Sequence, residues 1–164
     1  MVGNRIQYKH LKPFKLELGC GDQKHWRDGY VHLDINDNGQ DIVWDITKGL
    51  PFQNNECDEI FASHCFEHIS QQDLIIVFNE CWRCLRKDGV LWVIVPAYDS
   101  PSRFIIPHVT QFDENTFRHL TKEMNPDYDD ITTQHSSSLH IWETIELVTN
   151  ERPDIHWRAK PRGK

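Results

Sequence analysis

The sequence predicts an α/β domain built on a mainly parallel, doubly wound sheet. Three observations carry this reading. Short runs rich in β-branched and apolar residues alternate with polar loops, and each run ends in Gly, Asp, Ser or Pro. The runs are continuous rather than strictly alternating, which suits parallel strands covered on both faces. One clear amphipathic helix separates the fourth run from the fifth, as a crossover should.

The elements follow in order. Lys15-Leu16-Glu17-Leu18 stops at Gly19-Cys20-Gly21, Tyr30-Val31-His32-Leu33 at Asp34, and Ile42-Val43-Trp44 at Asp45. Cys57 to Ala62 stops at Ser63-His64, and Val90 to Val95 at Pro96. About eight residues separate Gly21 from Tyr30, whereas a crossover between parallel strands normally takes a dozen or more. The first helix is therefore expected to be vestigial. Ser70 can cap a helix running to about Leu85, with Asp73 in its first turn and Leu74, Phe78, Cys81, Trp82 and Leu85 on one face. Arg86-Lys87 end that helix, and Asp88-Gly89 turn the chain into the next strand. A second helix is expected from Asp113 to about Met124, with Phe117 and Leu120 inward, stopping before Pro126. Ile141 to Thr149 and Ile155 to Lys160 then read as two strands of a hairpin.

Composition narrows the function. The chain of 164 residues suits one domain, and 18 basic against 25 acidic residues give a net charge of −7. That balance disfavours a nucleic-acid phosphate backbone as partner. No run is long enough to span a bilayer, and the start lacks the apolar stretch of a signal peptide. Five cysteines, without a disulfide framework's spacing, point to a reduced, cytoplasmic protein.

The chemistry concentrates at the strand ends. Gly19-x-Gly21 directly after the first strand lets the backbone turn sharply and approach a ligand. Asp34, closing the second strand, can accept from both hydroxyls of a ribose, and Asp45, closing the third, from an exocyclic adenine amine. Each Asp alone is equally a turn cap; two at successive strand ends beside Gly-x-Gly mean more. A nicotinamide fingerprint fits worse, because it needs a third glycine where Lys24 and His25 stand.

Leu16-Glu17-Leu18-Gly19-Cys20-Gly21, Asp34, Asp45-Ile46 with Leu50-Pro51-Phe52, Phe61 to His68, and Leu85 to Leu91 together resemble a class I S-adenosylmethionine-dependent methyltransferase of the small type 11 branch. The likeness spans about Lys15 to Met124. It implies a Rossmann-like, three-layer α/β/α domain over residues 1–164, with 1–14 as an N-terminal extension. It also implies a seven-stranded sheet ending in an antiparallel hairpin, and S-adenosyl-L-methionine as cofactor. Carried over by position, Glu17, Gly19 and Gly21 surround the methionine end, Asp34 holds the ribose, and Asp45 and Ile46 hold the adenine. Ser63 and His64 sit beside the methionine and its methyl group, and His108 lies in the segment that covers the site. The sequence departs from the family at Gln23, where a third glycine is frequent, and in its truncated first helix; both open the cofactor pocket.

The implied reaction is methyl transfer to a small-molecule oxygen or nitrogen nucleophile. Catalysis then rests on orientation and desolvation, plus a base where the acceptor must lose a proton. His64 and His108 are the expected catalytic residues, with Glu67, His68, Tyr98 and Asp99 behind them. The alternative is a non-catalytic S-adenosylmethionine-binding module or partner subunit. Ser63-His64-Cys65-Phe66 resembles neither the Asn/Asp-Pro-Pro-aromatic motif of DNA amino methylation nor the Pro-Cys of cytosine methylation. The expected partner is thus a small acceptor, with no nucleic acid and no membrane, and homo-oligomerisation is left open. Cys81-x-x-Cys84 lies near a helix C-terminus, away from the dipole end that favours thiolate. As a zinc site it lacks a second half close in sequence, so no metal is expected.

Overall fold

A computed structural model describes residues 14–121, 130–132 and 138–164. Seven strands form one sheet in the order β3-β2-β1-β4-β5-β9-β8, numbered along the chain. They are β1 (Lys15–Leu18), β2 (Val31–Asp34), β3 (Ile42–Val43), β4 (Cys57–Ser63), β5 (Leu85–Pro96), β8 (Trp142–Thr149) and β9 (Asp154–Pro161). β6 (Asp130–Thr132) and β7 (Ser138–His140) pair separately. β1 to β5 run parallel, with Leu16 opposite Val31 and Ile60 and with Phe61 opposite Trp92. β9 is antiparallel to both β5 and β8. Within the seven-stranded sheet β9 alone runs against the rest, in the hairpin that the apolar runs after Ile141 foretell.

Helix α1 (Gln71–Cys84) begins at Ser70, whose hydroxyl oxygen accepts from the Asp73 backbone N–H at 3.1 Å. Its buried face is Leu74, Val77, Phe78, Cys81 and Cys84. Each large apolar side chain there contributes about 1.5–3 kcal/mol on leaving water. The helix passes directly into β5, with Leu85 already paired to Cys57. The register then shifts, so Asp88-Gly89 forms an irregularity within the strand rather than a loop before it. Helix α2 covers only Glu114–Arg118, capped by Asp113 in a reciprocal capping box with Thr116. The helix expected to run to Met124 instead stops at its C-cap His119, and Thr121 bridges to Trp142, which draws the chain to the sheet edge; residues 122–129 lie outside the described ones.

Strand register explains the layers. Leu16, Ile60, Leu91 and Ala159 share one face, which α1 covers; there Trp157 packs against Phe78, Phe117 and Trp142. Glu17, Phe61, Trp92 and Arg158 share the other. No α-helix lies between β1 and β2; a single turn at Gln23–His25 replaces it. The Arg27 guanidinium from this connection lies 4.1 Å from the Phe61 ring centroid and 4.8 Å from that of Trp92. This face is therefore covered by a cation stacked on aromatics where a helix would otherwise pack. The short connection leaves no length for the crossover helix, and the half-buried Trp92 and Arg158 are the consequence.

All five cysteines are free thiols, and four of them are buried. No helix of the described residues is long and apolar enough to cross a membrane.

Candidate functional site

The carboxyl ends of β1 to β4 open into one cavity of about 550 Å³, within the size range of small-molecule sites. Gly19, Gly21, Asp34, Asp45, Ile46 and His64, six of the residues singled out in the sequence, line it together.

The two glycines act differently. Both have positive φ, +64° at Gly19 and +57° at Gly21, a region that L side chains reach only at a cost. A Cβ on Gly19 would stand 2.6 Å from the Cys65 sulfur, so this position packs β1 against the end of β4. A Cβ on Gly21 would meet nothing within 4 Å, because its α-carbon faces the open cavity. Gly21 thus leaves room that any other residue would fill.

Asp34 is buried at the end of β2. Its Oδ2 accepts from the Gly21 backbone N–H at 3.0 Å, and its Oδ1 from the Asn36 N–H at 2.9 Å. A carboxylate offers about four acceptor positions, so capacity remains for the vicinal hydroxyls of a ribose. Asp45 caps the turn that follows β3: its Oδ1 accepts from Thr47 N–H at 3.0 Å and Thr47 Oγ1–H at 2.6 Å. The hydrogen bond from the Thr47 hydroxyl holds its carboxyl below the usual range. Oδ1 makes both Thr47 bonds, and Oδ2 lies 3.9 Å from Lys48 Nζ.

Glu17 and Ser63 are not among the residues lining this cavity. Glu17 points to the opposite sheet face and accepts from the Arg27 N–H at 2.9 Å, and burial raises its pKa. It fixes the loop behind the glycines rather than the cavity wall. Burial likewise pushes the Cys20 and Cys65 thiols up to about 12.

His64 stands at the mouth, with φ +50°, a conformation uncommon for a residue with a side chain. Its Nδ1 lies 3.2 Å from Glu67 Oε1 and its Nε2 3.9 Å from Asp154 Oδ2. The hydrogen bond to Glu67 raises the His64 pKa against the opposing effect of burial, with Asp154 adding to the rise. The Glu67 side chain is only 2% exposed. His108 lies behind this pair, with Nε2 4.0 Å from Glu67 Oε1 and its ring edge-on to His68 at 4.7 Å. It is not in the cavity lining, although its neighbour Pro107 is. Tyr98 is exposed, with Arg103 stacked 4.0 Å over its ring.

Sequence reasoning did not single out Ile35, Asn36, Trp44, Thr47, Ser70, Asp73 and Pro107, which also line the cavity. Ile35, Asn36 and Thr47 follow within two residues of Asp34 or Asp45, so the signal was position after a strand-ending acid.

The cavity brings together glycine backbone, a buried carboxylate with acceptor capacity to spare, and the turn cap Asp45 beside Ile46. Residues 16–93 match the family model described as "Methyltransferase domain". No curated protein matches the sequence. Among solved structures, a methyltransferase from Aquifex aeolicus aligns with TM-score 0.59 and 13% identity, over 89% of this chain and 80% of that one. The Burkholderia thailandensis 1,6-didemethyltoxoflavin-N1-methyltransferase, with bound 1,6-didemethyltoxoflavin and S-adenosylhomocysteine, aligns with TM-score 0.59 and 13% identity, over 90% and 70%. A chain from the Haloferax volcanii complex of a methyltransferase with the Trm112 methyltransferase activator aligns with TM-score 0.64 and 12% identity, over 91% and 82%. At such identities the solved structures establish the fold, and the family match applies to residues 16–93. The chain has the fold of solved S-adenosylmethionine-dependent methyltransferases, and its residues 16–93 match a methyltransferase domain; together these support S-adenosylmethionine as the cofactor.

Proposed function

We propose that the protein methylates an oxygen or nitrogen of a small molecule, with His64 as general base. One observation carries this: a histidine at the end of β4 lines the cofactor cavity while a buried carboxylate holds its ring. S-adenosylmethionine, held by Gly19, Gly21, Asp34 and Asp45, would supply a methyl group to the acceptor's lone pair, the electron pair of the broken carbon–sulfur bond staying on sulfur. His64 would take the acceptor's proton. Glu67 orients the imidazole through Nδ1, which leaves Nε2 to take that proton, and Asp154 near Nε2 favours the imidazolium that forms. His108 stands outside the cavity lining and supports Glu67 rather than meeting the acceptor.

The small-molecule reading is also supported by the Burkholderia neighbour, which binds a small heterocycle beside S-adenosylhomocysteine. The net charge of −7 argues against a nucleic-acid acceptor. The test is cofactor turnover with a panel of small alcohols, phenols, amines and heterocycles. Demethylated cofactor and methylated product should appear together, and His64→Ala should slow both. Firm cofactor binding with no product across the panel would instead support the non-catalytic module.

A further inference from the structure

We propose a divalent transition-metal site formed by Glu67, His68 and His108, adjoining the cofactor cavity. One ligand atom from each of these residues lies within 4.8 Å of the others. Zinc bonds to nitrogen and oxygen are about 2.0–2.2 Å. In tetrahedral geometry two ligand atoms on one ion are about 3.4 Å apart, so the three side chains close on an ion by approaching one another by up to about 1.4 Å.

The buried polar atoms point the same way. Glu67 is only 2% exposed, and its Oε1 is engaged by His64 while its Oε2 has no hydrogen-bond partner. His108 is only 8% exposed, and its Nδ1 likewise has none. A buried carboxylate oxygen without a partner is expensive, and a cation is the partner that offsets the cost. His68 is exposed and lines the cavity, so the cluster opens toward the cofactor.

The backbone holds the ligands together. Glu67 and His68 sit in the short turn after β4, and His108 comes from a distant loop. The Val109 and Thr110 N–H groups both donate to the Glu67 carbonyl, at 2.8 and 3.1 Å. The Thr110 hydroxyl donates to the Ile69 carbonyl at 2.6 Å. A loop clamped in this way keeps the three side chains close before any ion arrives.

Two imidazoles and one carboxylate favour zinc, cobalt, iron or manganese over calcium. Three protein ligands leave coordination positions open, which is the pattern of catalytic rather than structural sites. Resting on the methyl-transfer reading, an open position facing the cavity would take an acceptor oxygen and lower its pKa. The sequence predicts no metal, its candidate ligands being Cys81 and Cys84; those thiols are buried in the core and stand outside the cluster of Glu67, His68 and His108.

The test uses Co²⁺ with the full-length protein after chelator treatment, read by visible absorption and equilibrium dialysis. The expected result is one Co²⁺ per chain, displaced by Zn²⁺. His68→Ala, at an exposed position, should weaken binding at least tenfold, as should Glu67→Gln, with thermal melts confirming that both fold. His25→Ala, exposed and remote in sequence, should bind like the wild type. Wild type that takes up no Co²⁺ at millimolar concentration would overturn the proposal. So would uptake that both variants retain at full affinity. S-adenosylhomocysteine titrated into the metal-free protein separates the two readings. Cofactor binding without Co²⁺ uptake removes the metal site and leaves the methyltransferase reading standing.

Discussion

Replacing Gly19 and Gly21 by alanine, one at a time, separates packing from ligand space within three residues. At Gly19 the alanine adopts φ +64°, which costs about 1–2 kcal/mol for an L side chain. Its methyl also stands 2.6 Å from Cys65 Sγ and 2.7 Å from Cys65 Cβ. Overpacking of this kind adds about 1–3 kcal/mol, so Gly19→Ala should lose about 2–5 kcal/mol of folding stability. At Gly21 the backbone cost is the same, but no atom lies within 4 Å of the new methyl. Gly21→Ala should therefore lose only about 1–2 kcal/mol. Its methyl stands in the cofactor cavity, so it should weaken S-adenosylhomocysteine binding more than its stability loss suggests. Urea unfolding measures the stabilities, with equal slopes required for the comparison, and calorimetry measures the ligand. Two variants that agree within about 0.5 kcal/mol, below the smallest overpacking cost, would refute the reasoning from the Cys65 contact.

His64→Ala should lower turnover by about 10²–10⁴-fold, the range for loss of a general base, while the variant still binds S-adenosylhomocysteine; steady-state kinetics beside calorimetry checks both. Asp113→Ala should destabilise the protein by about 1 kcal/mol at neutral pH, because Asp113 caps α2 through the Thr116 N–H at 2.8 Å. The same hydrogen bond lowers the Asp113 pKa. That contribution is thus present above the unfolded carboxylate range and is lost as pH falls through the folded value, which urea midpoints across acid pH will show. Cys20 and Cys65, held up to about 12 by burial, should resist alkylation at pH 8 in the native protein and react after unfolding. Mass spectrometry of the labelled peptides distinguishes the outcomes.

The parallel core of the sheet was legible because each strand ends on a residue with a physical reason to stop there. Gly19, Asp34, Asp45 and His64 meet at one edge because parallel strands bring their carboxyl ends together. The missing first crossover helix was legible too, since it follows from chain length alone. The covering of the second sheet face was not. Arg27 stacks on Phe61 and Trp92 across distant sequence, and no local pattern marks a cation that replaces a helix. The side of the sheet taken by Glu17 was hidden for a related reason. Its partner is the Arg27 backbone, ten residues on, in a loop with no periodicity. The Glu67-His68-His108 cluster needed the fold, because the contacts of Glu67 with Val109 and Thr110 bridge some forty residues.

A cofactor bound in this cavity should lie against Asp34, at the end of β2. The measurement is calorimetric titration of S-adenosylhomocysteine into wild type and Asp34→Ala. Charged hydrogen bonds accepted by Asp34 from a ribose would be worth about 1.5–3 kcal/mol, so the variant should bind roughly 10- to 150-fold more weakly, with wild type saturating at one ligand per chain. No binding by wild type at millimolar ligand, or equal affinity in the two proteins, would contradict it.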